Sequence, residues 1–188
     1  MVPGTSHCGS ECPLRAVPAH RIVSAGRRGA RSADLARRTR TSVKATIYGH
    51  PVSVDQFVFL RKADLPSTER WQAALDQLGI DLQLDPTVDP SVHSGYWPAR
   101  LGGQDSGFEY FCGSIPDAFG APPPDGLNGR DHVVNLVTHS DVHELRCAMY
   151  AASALAAACD GLCFDEATGG LTSASAVLQE ARSIPEDV

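Results

Sequence analysis

The stretch that most constrains this chain is Ser140 to Cys159, SDVHELRCAMYAASALAAAC. Val142, Leu145, Met149, Ala152, Ala156 and Cys159 recur at steps of 3, 4, 3, 4 and 3. That is one apolar stripe along an α-helix laid on a packed surface. Alanines beside the stripe allow a flat partner, such as a sheet, to approach closely. Asp141 and Glu144 form a capping-box arrangement and put negative charge on the positive end of the helix dipole. His132 to His139 (HVVNLVTH) reads as a strand apolar on both faces, and so central in its sheet. Asp160-Gly161 ends the helix, and Gly161 to Glu166 reads as the next strand. The unit is strand, helix, strand.

The rest of the chain supplies partners for that unit. Ile47 to Lys62 has β-rich content (Val52, Val54, Phe57, Val58, Phe59, Leu60). Pro66-Ser67-Thr68-Glu69 opens a helix capped by Ser67 or Thr68. Trp71, Ala74, Leu75 and Leu78 fall at i, i+3, i+4 and i+7, and Gly79 closes it. Ile80, Leu82 and Leu84 alternate with polar residues as a half-buried strand. A loop punctuated by Pro86 and Pro90 follows. Tyr96 to Leu101 and Ser106 to Cys112 form a hairpin around Gly102-Gly103-Gln104-Asp105. In its second arm Phe108, Tyr110 and Cys112 share one face, and Glu109 and Phe111 the other. Gly113 to Arg130, with Pro122-Pro123-Pro124, reads as a surface loop. Thr168-Gly169-Gly170 reads as a turn, and Ser173 to Ser183 as a last short helix.

This order predicts an α+β fold: a mostly antiparallel sheet with two main helices on one face and a short C-terminal helix. The specific expectation is a ferredoxin-like core elaborated by the extra hairpin. A length of 188 residues with 43% hydrophobic content suits one domain with a tail. Residues 43-188 are expected to form that domain. Residues 1-42 lack apolar periodicity and read as a disordered basic tail. They fit a transit peptide or a nucleic-acid-binding arm, and they also fit a misplaced start with Val43 as the true first residue.

Charge separates the same two parts. Residues 1-44 carry +7 and residues 45-188 carry -13, giving the net -6. An acidic body is unsuited to nucleic acid and suited to solubility or to a cationic partner. No run reaches the about 18 apolar residues of a membrane span. The six cysteines are too sparse for a disulfide scaffold, and no secretory signal peptide is evident, so a cytoplasmic location is expected.

Candidate chemistry is sparse. His139, His143 and Cys147 lie four apart, and with Cys112 or Glu109 they have the donor types of a zinc site. The competing reading makes His143 exposed and Cys147 a small core residue. Cys159 and Cys163 read as core, and a four-cysteine site would need Cys8 and Cys12 from the tail. A nucleophilic set of Cys112 or Ser140 with His139 or His143 and Asp141 can be written down from composition alone. No G-x-S-x-G, P-loop or G-x-G-x-x-G occurs, so no catalytic residues are assigned. The stretch from His93 to Phe111 concentrates aromatics around a carboxylate, as interface anchors do, and Trp97, Glu109 and Tyr110 are the candidate partner contacts. The same aromatics can instead fill the core between hairpin and helices.

The segments SGYWPARLGGQDSGFEYFCG and LAAACDGLCFDEATGG, set around the strand and alanine-rich helix, resemble small uncharacterised bacterial proteins. Some of these look like the immunity proteins encoded beside secreted toxins, over about residues 45 to 183. The resemblance implies an acidic, cytoplasmic protein that binds and blocks one toxin, and it transfers no individual residues; the acidic body makes a cationic toxin the matching partner. The expected function is therefore non-enzymatic binding without a cofactor. A small enzyme or zinc protein using His139, His143, Cys147 and Cys112 is the alternative.

Overall fold

The computed structural model describes residues 53-139 and 141-185. The tail at 1-42, the Val43 start, Cys8, Cys12, Ser140 and the beginning of the first predicted strand lie outside them. Seven strands form one sheet: β1 (Ser53–Leu60), β2 (Leu82–Leu84), β3 (Gly95–Leu101), β4 (Gln104–Ser114), β5 (His132–His139), β6 (Leu162–Asp165) and β7 (Gly170–Thr172). The helices are α1 (Thr68–Gln77), α2 (Ile115–Ala118), α3 (Val142–Ala158) and α4 (Ala174–Ser183). Spatial order is β2-β3-β4-β5-β1-β6-β7, with every neighbouring pair antiparallel.

Four of these strands carry the predicted core. β6-β1-β5-β4 reproduces the order of two interleaved strand-helix-strand crossovers, β1-α1-β4 and β5-α3-β6. β2 and β3 extend one edge as the extra hairpin arm, and β7 extends the other. The α+β, ferredoxin-like expectation therefore describes the sheet. Two elements went unread. β7 occupies the residues after the Thr168-Gly169-Gly170 turn, and α2 sits inside the predicted loop. Both are a single turn or a few residues long, too short to show a period.

The central helix is shorter at its start and buried more widely than its stripe suggests. Asp141 is the N-cap, and its Oδ1 accepts from the backbone N–H of His143 at 2.7 Å and of Glu144 at 3.3 Å. Buried residues run continuously from Cys147 to Ala156. The reason is three-sided packing: the sheet lies beneath α3, while α1 and α4 flank it, sharing its hydrophobic cluster. Alanine at 148, 151, 152, 154 and 156 lets all three neighbours close in. Trp71 of α1 is fully buried, and its indole N–H donates to the Ala151 carbonyl at 2.9 Å.

The C-terminal end of α3 is closed by its own chain and by two arginines. Asp160 adopts φ 51°, and the Gly161 N–H reaches back to the Ala156 carbonyl at 2.8 Å, a Schellman closure. Arg70 donates to the Ala158 carbonyl at 2.7 Å. Arg130, with only 6% of its side chain exposed, donates from Nε to the Asp160 carbonyl at 3.0 Å and from Nη1 to Leu127 at 3.2 Å. Arg130→Ala is expected to destabilise the fold by about 2 kcal/mol, because it strands the Asp160 carbonyl and removes the ion pair to the Asp160 carboxylate, while the Leu127 carbonyl keeps the backbone N–H of residue 130. Lysine at this position should not fully restore the loss, since one ammonium does not reproduce the planar fork on the Asp160 carbonyl and carboxylate. Chemical denaturation of the two variants reads this directly.

Candidate functional site

The two faces of the sheet are covered unequally. Toward the helices, Trp97, Phe108, Tyr110, Val134, Leu136, Val58 and Leu60 join one core with α1, α3 and α4. On the opposite face, among the described residues, α2 and the segment after it cover only one side. There Phe119 meets Phe57 and Phe59 edge-on at 5.0 Å each and Phe164 at 5.2 Å. Ile115, Val133, Leu127 and Leu171 complete this second, smaller core.

The uncovered side is built by β3, β4 and the adjoining ends of β5 and β1. Strand register sets Tyr96, Glu109, Val137 and Asp55 in one row across the sheet, with Phe111, Asn135 and Phe57 in the next. Tyr96 is 55% exposed and Phe111 37%, two of the three large hydrophobic side chains that stand exposed among the described residues. Cross-strand neighbours on one face interact directly, so these rows form a continuous surface.

Polar groups on this face are acidic and mutually tied. Glu109 Oε1 lies 3.3 Å from His139 Nε2, and Asn135 donates to Asp55 Oδ1 at 2.7 Å. Burial, and then the nearby Asp55 carboxylate, holds the Glu166 carboxyl above its usual range. The one arginine or lysine at an outward-facing position of β3 and β4, Arg100, is paired with Asp105 at 3.3 Å. The face is thus apolar in its middle and anionic around it.

The residues singled out from sequence divide sharply. Glu109 lies on this face, half-buried. Trp97 and Tyr110 do not: both are 0% exposed and belong to the helix-side core. Trp97 packs against Trp71 at 5.2 Å and Tyr110 at 5.1 Å, while the Tyr110 hydroxyl donates to the Pro90 carbonyl at 2.9 Å. A partner cannot reach either ring. The alternation of strand side chains carried the correction. In β3 and β4 the residues out of phase with Trp97 and Tyr110, namely Tyr96 and Phe111, are the exposed ones.

His139, His143, Cys147 and Cys112 are not brought together. His139 ends β5 on the outer face, whereas His143 and Cys147 both lie on α3, Cys147 fully buried. α3 begins only at Val142, so His139 is a strand residue and only His143 and Cys147 share the helix. Cys112 is half-buried on the helix-facing side of β4. Among the described residues, no group of three or more His, Cys, Asp and Glu side chains is placed to hold a metal ion. Asp141 Oδ1 is taken up by the α3 cap, and the carboxylate beside His139 is that of Glu109. Catalytic residues are accordingly not assigned.

Burial pushes the thiols of Cys147 and Cys163 up to about 12. Both should resist alkylation at pH 8 in the folded protein and react fully once it is unfolded, as mass spectrometry of modified peptides would show. The folded state keeps protons that the unfolded chain releases above about pH 9. Stability contributed by these thiols is therefore complete below that pH and falls as the pH rises toward about 12.

No helix among the described residues is long and apolar enough to cross a membrane. No protein-family model, curated protein or solved structure matches the chain, so what it can do is read from its own geometry.

Proposed function

We propose that this chain is a non-enzymatic binding protein whose uncovered sheet face receives a protein with a cationic surface. The observation that carries the reading is Phe111 and Tyr96 standing exposed on a sheet face flanked by Asp55, Glu109 and Glu166. An apolar centre with a charged rim is the anatomy of protein interfaces. The anionic rim selects a partner of opposite sign, and the -13 of residues 45-188 favours its approach over long range. A toxin neutralised by steric blockade is the case that the resemblance to immunity proteins implies.

The test is quantitative capture from a lysate of the source organism, using the full chain and the variant Phe111→Ser/Glu109→Gln. A stoichiometric partner of basic surface should bind the parent and bind the variant at least about 10-fold more weakly, a loss of about 1.4 kcal/mol. Its association should also slow as salt rises, since steering by exposed charge is screened. Equal capture by parent and variant, or repeated absence of any stoichiometric partner, overturns the reading.

A further inference from the structure

We draw no further inference here: the strongest candidate, the run Pro122-Pro123-Pro124 in the segment between α2 and β5, stands exposed at its first two residues, and nothing in the structure shows what covers it.

Discussion

Gly107→Ala is expected to be among the most damaging single-methyl additions in the described fold. Gly107 lies in β4 under the ring of Tyr96, whose hydroxyl donates to the Ser106 carbonyl at 3.1 Å. A Cβ at Gly107 would meet the Tyr96 hydroxyl, and it would sit 2.6 Å from both Tyr96 Cζ and the Trp97 carbonyl oxygen. The tyrosine can swing away, but the Trp97 carbonyl belongs to the strand beside it and cannot. Overpacking of this kind costs about 3 kcal/mol, a large part of the about 5–15 kcal/mol that holds a domain folded. A fall in Tm of about 6–12 °C follows for a chain of this size. The double variant with Tyr96→Ala separates the two contacts. It should recover part of the loss, because the ring is gone while the carbonyl remains, so the substitutions should be non-additive. Strict additivity would show that the ring is not what the methyl meets.

Trp71→Ala should cost about 4 kcal/mol or more, since it empties the junction of α1, α3 and β3 and removes the bond to Ala151. The phenylalanine variants discriminate more finely. Trp71→Phe loses a made hydrogen bond at 2.9 Å. Trp97→Phe removes an indole N–H that is buried without a partner, so relief of that cost offsets part of the lost area. Trp71→Phe is therefore expected to be worse by about 1 kcal/mol or more, although both rings are equally buried. Urea unfolding with matching m-values would measure the gap. The reverse order would mean that ring volume alone sets the cost.

Local pattern carried most of the architecture. The caps at Ser67, Asp141 and Ser173, the hairpin at Gly102-Gly103 and the double-sided apolar strand at His132–His139 all appear where side-chain chemistry demands them. What pattern could not carry was the count of neighbours around α3. A stripe reports one packed face, whereas burial on three sides arises because α1 and α4 close in, and that is a tertiary event. The candidate site failed in an instructive way. Trp97 and Tyr110 are the most conspicuous aromatics in the hairpin, but conspicuous rings are more often core than contact. The strand period already separated them from Tyr96 and Phe111. Which of the two faces the helices would leave bare was not legible, because that depends on where α2 and its following segment fold back.

An open sheet can be recognised through its faces or through its edges. Among the described residues the edges are β2 and β7, each three residues long. A strand added to either would gain only a few main-chain hydrogen bonds, too few to repay the ordering of an extended peptide. Natural sheets keep their margins short for this reason, since a long bare margin templates its own aggregation. Strand addition at these two margins is thereby disfavoured, whereas β1 pairs with β6 only at Val58 and Phe59. On the function proposed above, the partner would meet the sheet with a folded surface laid across β3, β4 and β5, and preformed shape would set its specificity.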